Sequence, residues 1–427
     1  MQLPRTVRPF FLTALAGCLL VLCGQEASAS GFGIFTQGAE ALGQANATVA
    51  HSAGPSALYF NPALLTELSG TRVEIGTTLI NPERTFTSDT TGRSYSAKST
   101  LYTPSTFYMS HAFNETLSAG LGLFNPFGLG TDWDKSWEGR YLATRSEIVT
   151  YNLNPSLAYR PLPWVSIGAG VDLVYLDATL EEQVKLSFLG LPDGTQKFTG
   201  DGTGVGYNLG VLLNLGPKVR FGASYRSAID IDIDGHVDFT LPAPALEATL
   251  PDTSAQTDIT LPQQFVAGLS FFPTPELTLE TGVRWEDWSS YDQMHITFDQ
   301  PVNGSDFAVY PKNWHATWAW NLGGKYRLNK TVALLAGYLY GEDAIDDPTF
   351  EPAVPDANAH LFCLGTVLSF GRVDVAVSYG YQYLENRRKN NAYLPDVNPV
   401  VAEPADYATG RYESQLHLIG VSAGYHF

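Results

Sequence analysis

From Thr71 to Phe427 apolar and polar residues alternate with a period of two, segment after segment, and this restricts the chain to strands. In Val373–Tyr383 the odd positions are Val, Val, Val, Tyr, Tyr and Tyr, and the even ones are Asp374, Ala376, Ser378, Gly380 and Gln382. Leu277–Trp285 repeats the pattern, with Thr278, Glu280, Gly282 and Arg284 on its polar face. Fourteen such segments can be marked, beginning near 71–81 and 98–113 and ending near 372–384 and 410–427. Short connections, such as Asn114-Glu115, Gly216-Pro217 and Gly371, alternate with long ones near 82–97, 125–138, 181–202, 242–256, 299–312, 342–357 and 385–409. Apolar faces with aromatics near the strand ends, short turns on one side and long loops on the other define an outer-membrane barrel. A soluble sandwich would instead share its apolar faces in one core. The last residue, Phe427, is aromatic and shares a face with Ile419, Val421, Ala423 and Tyr425, as barrel-assembly machinery would read it.

Composition agrees. Charged residues make up 16%, while Gly (40), Tyr (22) and Phe (23) are plentiful. No stretch after residue 30 has the roughly 18 apolar residues of a membrane helix. Residues 1–29 read as a signal peptide: Arg5 and Arg8, an apolar core at Phe10–Leu22, and Ala27-Ser28-Ala29 for cleavage. Leu15-Ala16-Gly17-Cys18 imitates a lipoprotein box but lies inside the apolar core. The mature chain then starts at Ser30 and is divided into a segment at 30–70 and the barrel at 71–427. Of three cysteines only Cys363 remains, so no intrachain disulfide or cysteine metal cluster is expected. The formal net charge of −18 repels nucleic acid and anionic headgroups.

Patterns that imitate chemistry have plainer readings. Gly420-Val421-Ser422-Ala423-Gly424 satisfies G-x-S-x-G, yet it lies in a terminal strand with no helix to form a nucleophile elbow. Asp230, Asp232 and Asp234 open like a calcium loop, but the twelfth position is Leu241. As a strand, this segment is expected to turn Ile229, Ile231 and Ile233 outward and its aspartates toward the lumen or loop end. Arg220 and Arg226 are expected to pair with lumen acids such as Asp172, Glu280 or Glu286. No H-E-x-x-H, P-loop or dinucleotide fingerprint occurs, so no catalytic residue, metal or cofactor is assigned.

Two stretches break the strand pattern. Ser30–Leu68 is rich in Gly and Ala, carries Phe32 and Phe35 early, and ends in Asn61-Pro62-Ala63-Leu64. Gly120–Trp133 begins as a strand and is interrupted at Asn125-Pro126, followed by Phe127 and Gly128. Proline cannot donate to a ladder, so a break here either opens a gap in the wall or starts an ordinary loop. These stretches, with Ala41–Ala45, Asn152-Leu153-Asn154, Tyr225-Arg226-Ser227, Leu261-Pro262 and Trp288-Ser289, resemble the FadL family of outer-membrane transporters for long-chain fatty acids and other hydrophobic compounds.

The resemblance implies an all-β fold, a 14-stranded antiparallel transmembrane β-barrel with an N-terminal hatch (a plug) inside the lumen. It implies a ligand gate at Phe32 and Phe35, a hatch motif at Asn61, Pro62 and Ala63, and a lateral opening at Asn125, Pro126, Phe127 and Gly128. Arg226, Arg284 and His315 become candidates for polar groups in the lumen. The implied activity is passive uptake of a hydrophobic small molecule, foremost a long-chain fatty acid, by a monomer among outer-membrane lipid and lipopolysaccharide of a Gram-negative cell. Relatives with a cationic headgroup site carry basic residues where this chain has Glu181, Glu182 and the neighbourhood of Trp314-His315-Ala316, which leaves neutral aromatic or aliphatic hydrocarbons open as ligands. A general porin is a further alternative, and it would not need a plug.

Overall fold

The computed structural model describes residues 31–51, 54–392 and 408–427; the expected signal peptide lies outside the described residues. Its strands form one closed antiparallel barrel of fourteen staves. Eight staves are continuous: Thr71–Ser88, Arg145–Leu162, Val165–Val184, Gly194–Asn214, Val332–Gly341, Ala359–Phe370, Val373–Lys389 and Gly410–His426. The other six are each made of two strands. They are Ser94–Ser96 with Ser105–Ala112, Leu117–Phe124 with Gly128–Asp132, and Val219–Arg226 with Ile229–Thr240. The remainder are Thr253–Leu261 with Gln264–Thr274, Leu277–Glu286 with Gln293–Val302, and Ser305–Pro311 with Thr317–Arg327. The first stave pairs with the last from Arg72↔His426 to Ser88↔Gly410, so the wall has no free edge there.

The expected alternation holds in the thirteenth stave. Val373, Val377, Tyr379 and Tyr383 face outward and are exposed, while Ala376 and Ser378 are buried inside. Tyr159, Trp164, Phe271, Tyr326 and Phe370 are exposed near the short turns, and Tyr151, Tyr175, Tyr207, Trp318 and Trp320 farther up the wall, giving two aromatic girdles.

Away from the short turns the strands run farther than the sequence pattern suggests. Residues expected to be long loops at 82–97 and 299–312 are largely hairpin, Thr85↔Ser96 pairing in one and Met294↔Tyr310 in the other. The loop expected at 181–202 shrinks to 185–193. Beyond the hydrocarbon both faces of a strand tolerate polar residues, so backbone pairing continues where the two-residue pattern fades. The Ile229–Asp234 segment is reversed relative to expectation. Ile229, Ile231 and Ile233 are buried inside the barrel, and Asp230, Asp232 and Asp234 point out. Residues 227–228 leave the ladder, which flips the parity set below by the inward-facing Arg226. Up here the outside is water, and Asp234 and Asp230 accept hydrogen bonds from Gln256 (2.8 Å) and Thr260 (2.7 Å).

The N-terminal residues fill the lumen as two short helices, Ala39–Gly43 and Ala57–Phe60, and a 3-10 turn, Pro62–Glu67. Asn61 fixes this plug to itself and to the wall. Its Nδ2 donates to the carbonyls of Val49 and Val211, both at 2.9 Å, and its Oδ1 accepts from the Ala63 N–H at 3.0 Å. Pro62 follows at the start of the turn, where its missing N–H leaves no bond unmade. Glu280 accepts the Val49 and Ala50 N–H groups at 2.5 and 3.1 Å, binds His51 at 2.7 Å and accepts from Ser270. At the plug's edges Lys325 meets Glu40 at 2.6 Å, and Arg160 and Arg220 converge on Glu67.

Lumen-facing glycines let plug and wall backbones touch. A Cβ at Gly210 would lie 2.1 Å from Asn61 Oδ1, at Gly168 2.5 Å from Ala63 N, and at Gly222 2.1 Å from the Val49 carbonyl oxygen. The neighbour at Gly222 is backbone and cannot step aside. Gly222→Val should therefore cost about 1–3 kcal/mol of plug docking, seen as rapid chymotrypsin cleavage at Phe32, Phe35, Tyr59 or Phe60 while the barrel stays protease-resistant. Unchanged protection of those sites would show that the contact is not tight.

Candidate functional site

The wall is interrupted where Asn125-Pro126 divides the third stave. Below the break Leu117–Phe124 pairs with both neighbours, but Gly128–Asp132 pairs in the ladder only with the fourth stave. Across the gap the second stave also gives way. Strand was expected over 98–113, but it starts only at Ser105, and residues 97–104 hold to the first stave by one isolated bridge, Ile80↔Tyr102, and two further backbone hydrogen bonds, Ala97 N–H to the Arg84 carbonyl and Thr78 N–H to the Pro104 carbonyl, both at 3.0 Å. Pro104, unable to donate, is the sequence signal for this second interruption.

The orphaned backbone groups at the break find partners. Asn125 donates from Nδ2 to the Thr150 carbonyl at 2.5 Å and accepts at Oδ1 from the Ser105 N–H at 3.2 Å. Its own carbonyl accepts from Gln37 Nε2 at 2.9 Å. The Thr150 hydroxyl accepts the Phe127 N–H at 3.0 Å and donates to the Phe127 carbonyl at 2.7 Å. Residues 32–34 supply the rest: Gly33 bridges Phe127, the Ile34 N–H donates to the Pro126 carbonyl at 3.3 Å, and the Gly128 N–H donates to the Phe32 carbonyl at 2.9 Å. The gap is thus a built feature with its hydrogen bonds met.

A cavity of about 530 Å³ opens at this place. Its lining includes Phe35, Ile80, Leu416 and Leu418 from inside the barrel, and Leu123 and Tyr151 from the outer face. Leu123 is 43% exposed and Tyr151 50%, both on the side where the bilayer lies. Successive side chains of an intact strand point to opposite faces, so one cavity can touch both only where the wall is broken.

Phe32 and Phe35 face different spaces. Phe35 lines the large cavity. Phe32 is 2% exposed and packs against Trp314 (4.9 Å between ring centres), Trp288 (5.2 Å) and Tyr291 (5.9 Å), beside a smaller cavity of about 90 Å³. Phe127 joins that cluster at 5.8 Å from Trp288, and Leu129, Ile148 and Val354 separate the two spaces by lining both. Just ahead of Phe32, the Gly31 N–H donates to Asp356 Oδ2 at 3.1 Å, with Gly31 at a left-handed φ of 55°. Burial, aided by Asp343, pushes the Asp356 carboxyl well above the ordinary aspartate range.

Of the lumen cations expected from sequence, two come together. Arg226 pairs with Asp172, and Arg284 with Glu286 at 2.7 Å; both line a third cavity of about 40 Å³, into which Phe35 also projects. His315 lies elsewhere, exposed at 3.4 Å from Asp346. Glu181 is engaged by Lys135 at 2.7 Å, and Glu182 lines the small cavity, so these two positions bring carboxylates and no cation. Sequence reading passed over Arg84, Tyr102, Pro104, Thr150 and Asp356. Arg84 falls in a stretch expected to be loop, and Thr150 looks like any other alternating polar residue.

A closed barrel with an apolar outer band, a lumen filled by its own N-terminal segment and a cavity passing through a wall break is an outer-membrane transport protein rather than an open pore or an enzyme. Residues 20–427 match a family model described as "Outer membrane protein transport protein (OMPP1/FadL/TodX)". The chain belongs to this family, whose members are Gram-negative outer-membrane transport proteins for hydrophobic compounds. It is 24% identical to Outer membrane protein P1 of Haemophilus influenzae, over 99% of this chain and 100% of that one. It is 22% identical to the long-chain fatty acid transport protein of Escherichia coli K12, over 87% and 92%. Among solved structures, a Pseudomonas aeruginosa FadL homologue superposes with a TM-score of 0.81 at 20% identity, covering 93% of this chain and 100% of that one. The Pseudomonas putida toluene transporter TodX gives 0.74 at 17%, over 93% and 99%. These establish a shared fold.

Proposed function

We propose that this barrel takes up hydrophobic small molecules passively, long-chain fatty acids foremost, holding them in the large cavity and releasing them sideways into the bilayer. The observation that carries the reading is the joint lining of that cavity by lumen and bilayer-facing residues. A plug locked backbone-to-backbone against the glycines leaves no straight path down the lumen, so an apolar ligand leaves through the gap between the second and third staves. In this reading residues 30–70 are the hatch, Phe32 and Phe35 its gate, Asn61, Pro62 and Ala63 its anchor, and Asn125, Pro126, Phe127 and Gly128 the rim of the exit. The ligand's affinity for the cavity and its dilution into the membrane drive the flux. Neutral hydrocarbons are the second reading, favoured by carboxylates rather than basic residues at Glu181 and Glu182 and by His315 lying exposed beside Asp346.

Deleting Gly31–Phe35 removes the three residues that pair with the break and both gate aromatics. Uptake of a labelled fatty acid into cells should change at least about fivefold, because the ligand loses contacts of this class, while the barrel remains heat-modifiable on gels. Unchanged uptake would rule out gating by this segment.

A further inference from the structure

Among the described residues most inward-facing cations of the barrel are ion-paired, while the buried Lys389 donates instead to the Asn391 carbonyl at 3.0 Å. Arg226, Arg284, Lys312, Lys325, Arg160 and Arg220 each meet a carboxylate within ion-pair distance. Arg84 does not. It lies on the inward row of the first stave with Ile80, Pro82 and Phe86, and among the described lining of the large cavity it is the sole Lys or Arg. Its Nη1 donates to the Gly130 carbonyl, so the guanidinium reaches across the gap to the broken stave. Its Nε is buried without a hydrogen-bond partner.

Asp356 faces the same cavity, yet its two oxygens are occupied by backbone: Oδ2 by the Gly31 N–H at 3.1 Å and Oδ1 by the Ala357 N–H at 3.0 Å. Its carboxyl is also shifted toward the neutral acid by burial. A partly buried cation without an ion pair is costly, and a guanidinium offers a fork of donors matched to a planar carboxylate. Tyr102 bounds the same spot, lying so close over Gly130 that a Cβ there would meet its hydroxyl at 2.2 Å.

Resting on the transport reading, we propose that Arg84 is the headgroup site of the wall passage: it binds the carboxylate of a long-chain acid while the chain lies along Ile80, Leu416, Leu418 and Phe35. This deepens the choice of ligand, because it supplies at the passage itself the cation that Glu181, Glu182 and His315 do not.

Palmitate and hexadecanol, equal in chain length and different in charge, separate the possibilities in equilibrium binding to the purified full-length barrel. Arg84→Met should weaken palmitate binding at least about tenfold, the loss expected for a hydrogen-bonded ion pair, and leave hexadecanol binding within about twofold. Arg84→Lys, which keeps charge without the fork, should recover part of the palmitate affinity. Equal loss of both ligands would overturn the proposal, showing that Arg84 merely braces the gap through Gly130; so would unchanged palmitate binding in Arg84→Met. If the wild-type barrel bound neither ligand, the transport reading itself would fall, and the Arg84 site with it. Hexadecanol binding without palmitate binding would keep the passage and refute the headgroup site.

Discussion

Replacing Glu280 by alanine should unseat the plug without opening the barrel seam. One carboxylate accepts two backbone N–H groups of the plug, engages His51 at 2.7 Å and accepts from Ser270, all out of contact with solvent. Removing it strands those donors together, and the loss of such a buried partner is on the order of 3–5 kcal/mol. The wall does not depend on this residue, because Leu277–Glu286 keeps its full backbone pairing on both sides. In planar bilayers the wild-type protein should be almost silent, and Glu280→Ala should show ion-conducting steps as the lumen empties. Silent channels in the variant, together with undisturbed protease protection of residues 31–68, would show that Asn61 and the glycine contacts hold the plug alone.

Gly128→Phe should abolish uptake in a barrel that still folds. A Cβ at Gly128 has ordinary contacts, 3.7 Å from Ile34 Cδ1 and 3.7 Å from the Ile148 carbonyl oxygen, so the backbone accepts a side chain. The ring then projects into the cavity beside the break, where it fills the path an apolar ligand needs. Uptake should fall by more than about tenfold, since displacing a side chain of this size from an apolar site is worth about 1.5–3 kcal/mol. Heat-modifiability on gels should stay unchanged. Normal transport by that variant would place the exit elsewhere.

Much of this architecture is legible from residues alone. Stave number follows from alternation plus punctuation, since both have local causes: side-chain period and turn chemistry. The Asn125-Pro126 break is legible for a similar reason, as proline deletes a donor wherever it stands. What resists reading is where the bilayer ends. The inward and outward sides of Ile229–Asp234 were inverted because polarity names the wet face, and above the membrane the wet face is the outside. The parity change at residues 227–228 has no marker in sequence beyond the nearby Pro262 of the adjacent stave, where residues 262–263 also leave the ladder. Arg84 was hidden by the same boundary, since a strand that continues into water looks like loop. A lumen acid could be assigned to Arg226 in advance from among Asp172, Glu280 and Glu286, because an unpaired buried charge is costly at any depth, while Arg220 instead meets Glu67 of the plug.

The bridge between Gly33 and Phe127 has a mechanical consequence. Fourteen staves are covalently consecutive, held by ladders of up to twenty residue pairs, and none can leave without unfolding its neighbours. The stub at residues 32–34 is different: it is a tethered splint laid on the fracture, joined by two backbone hydrogen bonds and free of any turn to the strand it supports. Lifting it forfeits about 1–3 kcal/mol of net hydrogen bonding, and in the proposed uptake a greasy guest at the site of Phe32 restores the lost apolar contact. In the proposed uptake, room-temperature fluctuation is then a sufficient motor, and the hole in the wall is repaired and reopened once per passenger without the cylinder changing shape.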